Sequence, residues 1–150
     1  MQQVNSVLLI DDDPMFSMIN KKIIQVAKFA IKVTSHVNAK DALIELRQFI
    51  NSGSSEFPDV IFLDINMPQM DGWEFLEECN KFPDFALMKC KVFMLSSSIS
   101  ISDIEKSKKY SMVYDFISKP LTINKLQMIA SQEISLWKLK TTLSPYHLIK

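Results

Sequence analysis

The residues able to do chemistry sit behind short apolar runs. Asp11-Asp12-Asp13 follows one, Asp64 a second and Ser96-Ser97-Ser98 a third, while Ser118-Lys119-Pro120 closes a more polar segment. One such ending says little, because loops are polar. A fold that gathered them all would face an electrostatic problem. Carboxylates about 5 Å apart repel by roughly 3 kcal/mol per pair at an effective dielectric near 20, and by less than about 1 kcal/mol in bulk water. Three pairs could cost up to roughly 10 kcal/mol, comparable with a domain's whole stability of about 5–15 kcal/mol. A hard divalent cation with oxygen ligands is the natural compensation, since one lysine does not balance the acids. Such a cation with a hydroxyl and an ammonium beside it suits a phosphoryl group, with one carboxylate free to act as nucleophile.

The elements that must position these residues can be read from periodicity. Val7–Ile10, Asp59–Leu63 and Lys91–Leu95 are short apolar runs, as expected of strands covered on both faces. Ile31–Thr34 alternates and Val113–Ile117 carries polar residues, so both read as sheet edges. Helical patterns fall between them. Asp13 caps a helix from Pro14 to about Ala27. Asn38 caps another, whose Ala39, Ala42, Leu43, Leu46 and Ile50 form one apolar stripe. A third opens at Asp71 or Gly72, with Phe75, Leu76 and Cys79 inward. A fourth, about Ser102–Tyr110, is short and polar, and a fifth opens near Thr122 with Ile123, Leu126, Ala130, Ile134 and Trp137 at helical spacing. Asn51–Pro58 and Phe82–Lys89 read as the longest loops. Five strands alternating with helices predict an α/β, doubly wound parallel sheet, in which ligands bind beyond the carboxyl ends of the strands. All the chemical residues then share one rim.

Composition narrows the function. The chain has 150 residues, 47% apolar and 23% charged, enough for one globular domain with a self-sufficient core. Lys+Arg and Asp+Glu number 17 each, which argues against a nucleic-acid partner. No apolar run reaches the roughly 18 residues needed to span a bilayer, and the N-terminus reads as no signal peptide, so a cytoplasmic location with no membrane partner is expected. Cys79 and Cys90 read as reduced packing residues. The expected organisation is one domain over 1–140 and a tail over 141–150, without a separate output domain.

At this point VLLIDDDP, DVIFLDINMPQMDGWEFL, the LSSS after the fourth strand and the SKP after the fifth resemble the receiver domains of two-component response regulators, over about residues 4–140. Each motif is short, but together they occur in the right order at the right strand ends. The resemblance implies a five-stranded flavodoxin-like fold of strand order 2-1-3-4-5. It implies Asp64 as phosphoacceptor and Mg²⁺ as cofactor. The metal would be held by Asp12 directly, by Asp11 largely through water, by Asp64 and by the Asn66 backbone carbonyl. Ser96 takes the place of the switch hydroxyl, Lys119 of the phosphate-pairing lysine and Phe116 of an aromatic that turns inward on activation. Ser98 and Asn66, two past Ser96 and Asp64, stand where relatives tune phosphate lifetime. The Lys119–Pro120 bond is cis in many relatives. The donor would be a sensor histidine kinase or a histidine phosphotransfer protein, and the surface of the fourth helix, fifth strand and fifth helix would bind a downstream protein; a homodimer stays open. Three features depart from the pattern: Met112 where glycine is common, Phe116 without a tyrosine hydroxyl, and the long Asn51–Pro58 loop.

Two other functions compete. A receiver fold could serve as a phosphate-independent binding module. A small haloacid-dehalogenase-type phosphatase would use the DxD within Asp11-Asp12-Asp13, but Met15 and the early Asp64 fit it poorly. His36 and His147 read as surface residues, Trp73 as packing or a contact, Met15, Met18, Met67 and Met70 as fillers, and Trp137 as packing, with Leu139 and Leu143 unassigned.

Overall fold

The structure, a computed structural model, describes residues 3–139, with side chains through 131. Strands β1 (Val4–Ile10), β2 (Ala30–His36), β3 (Val60–Asp64), β4 (Lys91–Ser96) and β5 (Val113–Ser118) form one parallel sheet in the order β2-β1-β3-β4-β5. The expected fold class and order are therefore observed, with the two polar-interrupted strands at the edges. β3 and β4 are buried along their whole length, because helices cover both faces.

On one face, Leu8, Ile61, Leu63 and Met94 pack under α2 (Ala39–Ser52) and α3 (Gly72–Cys79). On the other, Val7, Leu9, Phe62 and Phe93 pack with Ile24 of α1 (Pro14–Val26) and Leu126 of α6 (Ile123–Leu139). The α2 stripe is buried as its spacing predicts, with Ile50 only partly covered. The helix runs two residues past Ile50 and ends at Gly53, whose φ of 66° is the left-handed conformation glycine tolerates. The amides of Gly53 and Ser54 close on the carbonyls of Ile50 and Phe49, which satisfies two orphan acceptors. The loop is shorter than Asn51–Pro58 for that reason.

Phe82–Lys89 is not a bare loop. It holds α4 (Asp84–Lys89), six residues and too short to declare a periodicity. The next helix, α5 (Ile101–Ser107), stops before Tyr110, because Tyr110 turns into the core and its carbonyl accepts the Val113 amide at 3.1 Å. Met112 fills that turn as a buried side chain, and its carbonyl accepts from Val92 at 2.8 Å. β5 enters with a bulge: Val92 pairs with Val113 but Phe93 with Asp115, so Tyr114 is the extra residue. The side chains of Ile134, Trp137 and Leu139, and residues Leu143 and His147, lie outside the described residues.

Candidate functional site

Parallel register levels the strand ends. Ile10 pairs with Leu63, Asp64 with Leu95 and Ser96 with Ser118, so Asp11, Asp64, Ser96 and Lys119 emerge together. Local hydrogen bonds then aim each one. Asp11 Oδ1 accepts the Asp13 amide at 2.9 Å, which folds the acidic turn back on itself. Asp13 is the helix cap expected of it: its Oδ1 accepts from the Met15 and Phe16 amides, and Pro14 occupies the first turn, where its missing N–H costs nothing. Lys119 is held through its own backbone, whose amide donates to the Ser96 carbonyl at 2.9 Å, and the Lys119–Pro120 peptide is cis. Lys125 of α6 pins the same loop by donating to the carbonyls of Ser118 and Pro120 at 2.7 and 2.8 Å.

The Asp64 loop is fastened by α3. Asp71 and Glu74 form a reciprocal capping box, and the Gly72 amide donates to the Ile65 carbonyl at 2.8 Å. Gly72 must lack a side chain there, since a Cβ would lie 2.9 Å from the Asp64 carbonyl oxygen and 3.0 Å from the Ile65 Cα. Both are backbone atoms with little freedom to yield. Gly72→Ala should therefore lower stability by about 1–3 kcal/mol. Urea unfolding at unchanged m-value measures it, and an unmoved midpoint would show that the Asp64 loop gives way freely.

Asp11, Asp12 and Asp64 present carboxylate oxygens that all lie within 4.8 Å of one another. Lys119 Nζ stands 3.2 Å from Asp64 Oδ1 and 3.4 Å from Asp11 Oδ2. Three carboxylates against one ammonium leave a surplus of two negative charges, the charge of one divalent cation. Oxygens sharing a small octahedral ion at about 2.1 Å can be up to about 4.2 Å apart, so these residues need little adjustment to hold Mg²⁺. Burial of Asp64 and the nearby Asp11 carboxylate push its pKa up, against the pull of Lys119. Burial pulls the Lys119 ammonium down, but the Asp64 and Asp11 carboxylates outweigh it and raise its pKa. The polar contacts of Asp64 fall on Oδ1, from Lys119 and, at 3.4 Å, the Asn66 amide; Oδ2 has no partner among the described residues. Asp11 has both oxygens engaged. Of the two buried carboxylates on the rim, Asp64 is thus the one with an oxygen to spare.

The sequence model of the response regulator receiver domain matches residues 7–131. The chain belongs to that family. It is 30% identical over 123 residues, 82% of its length, to the two-component response regulator ARR11 of Arabidopsis thaliana, of which it spans 21%. It is 25% identical over 126 residues, 84% of its length, to the probable C4-dicarboxylate response regulator DctR of Halalkalibacterium halodurans, of which it spans 50%. The crystal structure of a two-component response regulator from Cytophaga hutchinsonii superimposes with a TM-score of 0.79 at 30% identity, covering 89% of this chain and 99% of that one. Membership in the receiver family replaces the phosphatase alternative, and receivers as a class interact with histidine kinases or phosphotransfer proteins.

In this receiver domain, the residues at the two implied switch positions are both engaged within the fold. Ser96 Oγ donates to the Ser98 carbonyl at 2.7 Å and accepts the Ser98 amide at 3.1 Å, so its hydroxyl is occupied in a local turn. Phe116 is already 2% exposed, packed in the core cluster that holds Met94, Tyr110 and Met112. A phenyl ring has no hydroxyl to keep in water, so burial is its resting state. His36 ends β2 level with Ile10 and its carbonyl accepts the Asp11 amide at 3.2 Å, while its imidazole pairs with Glu45 at 3.2 Å. Trp73 is buried beside Tyr110, ring centroids 6.2 Å apart, with Lys106 Nζ 4.8 Å above the indole. Sequence reasoning missed Phe16, whose ring lies 5.0 Å from Lys119 Nζ. An aromatic in the first turn of a helix that starts on the rim was the available signal.

Proposed function

We propose that this receiver accepts a phosphoryl group on Asp64 from a sensor histidine kinase or a histidine phosphotransfer protein, with Mg²⁺, and that the phosphorylated form changes the partner affinity of the α5–β5–α6 surface. The six-residue α4 adds one to the helix count of the receiver pattern, so α5 and α6 stand as its fourth and fifth helices. The observation that carries the proposal is the Asp64 carboxylate, buried and with one oxygen turned to Lys119 while the other has no partner among the described residues. That oxygen attacks phosphorus, the O–P bond forms as the donor's N–P bond breaks, and the electron pair leaves with the imidazole nitrogen. Lys119 binds a phosphoryl oxygen. Asp11, Asp12, Asp64 and the Asn66 carbonyl are the proposed holders of Mg²⁺, which supplies charge neutralisation at the phosphoryl oxygens. Free, buried Cys79 and Cys90 suit a reducing cytoplasm.

Switching rests on Ser96. To reach the phosphoryl oxygens its hydroxyl must leave the Ser98 carbonyl, which frees the β4–α5 connection. Phe116 keeps its buried place and senses that release by repacking rather than by a swing from solvent. The surface change matters only if a partner binds the two forms with different affinity.

Acetyl phosphate with Mg²⁺ should add one phosphoryl group to the intact chain by mass spectrometry, and chelation of the metal should abolish it. For a Kd of about 1 mM, 10 mM Mg²⁺ should also stabilise the fold by about 1.4 kcal/mol. A chain that neither labels nor melts higher with Mg²⁺ would instead be the phosphate-independent binding module.

A further inference from the structure

Among the described residues, three groups converge on the Lys119 ammonium. Asp64 and Asp11 approach at 3.2 and 3.4 Å, and the Phe16 ring centroid lies at 5.0 Å. The ring's position is inherited from the cap that starts α1: the Phe16 amide donates to Asp13 Oδ1 at 3.2 Å, which ties its backbone to the acidic turn. Any movement of that turn carries the ring with it. A phenyl face attracts an ammonium through its quadrupole, and more strongly where water is thinned. Lys119 is only 21% exposed along its side chain, so the contact is partly desolvated.

We infer that Phe16 is a positioning residue, its ring holding the Lys119 ammonium at the site through phosphoryl transfer. The inference rests on Asp64 being the phosphoacceptor. Both ion pairs of Lys119 alter during that reaction. Asp64 would trade its carboxylate for an acyl phosphate, and Asp11 is among the residues that would hold Mg²⁺. The ring neither titrates nor ligates a hard metal, so it is the one partner of the three whose attraction is the same before and after. It also covers a flank of the ammonium that would otherwise hydrate, which keeps the lysine directed at the incoming oxygens.

The test uses the full chain. With ¹³C/¹⁵N-labelled lysine and no phosphodonor, the ring current should shift the Lys119 ε-methylene protons upfield in the wild type and in Phe16→Trp, and the shift should vanish in Phe16→Leu. Labelling by acetyl phosphate with Mg²⁺ should then slow about three- to tenfold in Phe16→Leu and recover to within about twofold in Phe16→Trp, the loss expected of one ammonium–ring contact. A merely structural role predicts no such rescue, because leucine fills the half-buried position more easily than tryptophan does. The inference is overturned if Phe16→Leu keeps the wild-type resonance and rate, or if Phe16→Trp is as slow as Phe16→Leu. A wild-type chain with the shifted resonance but no label would overturn the phosphoacceptor reading and still support the ring's hold on Lys119.

Discussion

Asp64→Asn should take up no phosphoryl group from acetyl phosphate, while Asp11→Asn and Asp12→Asn should label slowly and measurably. The three carboxylates lie within 4.8 Å of one another, so proximity alone does not distinguish them. Their surroundings do. Asp12 is exposed, and Asp11 has one oxygen committed to the Asp13 amide and the other to Lys119. Asp64 is 5% exposed, its pKa raised chiefly by burial, and its contacts all fall on one oxygen. A desolvated carboxylate with a spare lone pair is the better nucleophile. Removing it removes the atom that bonds to phosphorus, so the loss is complete. Removing either neighbour weakens charge neutralisation in the transition state and should slow labelling by roughly 10²–10³-fold. Time-resolved intact mass measures all three variants. Full labelling of Asp64→Asn would move the phosphoacceptor elsewhere.

Asp115→Asn should make the protein more stable above neutral pH, and the difference should disappear near pH 4. Asp115 is 1% exposed on β5, next to the bulge and one residue from Phe116, so it faces the opposite side of the strand. Its Oδ1 accepts the Phe116 amide at 2.8 Å, and its Oδ2 has no hydrogen-bond partner among the described residues. Burial pushes the carboxyl up to about 7 from 3.8, against the stabilising Phe116 amide. Between those values the native state keeps a proton that the unfolded chain has released. The unfolded state then binds fewer protons, so stability falls as pH rises from about 4 and levels off above about 7. The full span approaches about 4 kcal/mol, and relaxation around the carboxyl brings the expected loss to about 2–4 kcal/mol. Asparagine carries no charge at any of these pH values. Subtracting its stability profile from the wild type cancels the other titrating groups, including Asp64. The Tm difference at pH 8 should be on the order of 10 °C, and a difference that does not vary with pH would show that Asp115 is not the buried acid described.

Much of this protein was legible before any coordinate. The apolar runs at Val7–Ile10 and Lys91–Leu95 are central strands because a strand covered on both faces has no polar side to show. The cap at Asp13, the α2 stripe and the helix at Gly72 follow from local hydrogen bonding and 3.6-residue spacing, which are properties of adjacent residues. Even the acidic rim was accessible, because parallel strands of similar length must end together. Other features were not. The six residues of α4 are too few to fix a period, and α2 outruns its apolar stripe to reach Gly53. The bulge at Tyr114 depends on which β5 residue faces Phe93, a pairing between segments some twenty residues apart.

Local pattern, then, determined most of the elements and which polar groups stand at their ends, since a helix period or a cap needs only its neighbours. Tertiary structure alone decided that Phe16 reaches Lys119, that Phe116 is already inside and that Asp115 is left without a partner for one oxygen. Those depend on how separate elements close against each other to a fraction of an ångström, and no periodicity along one chain encodes that.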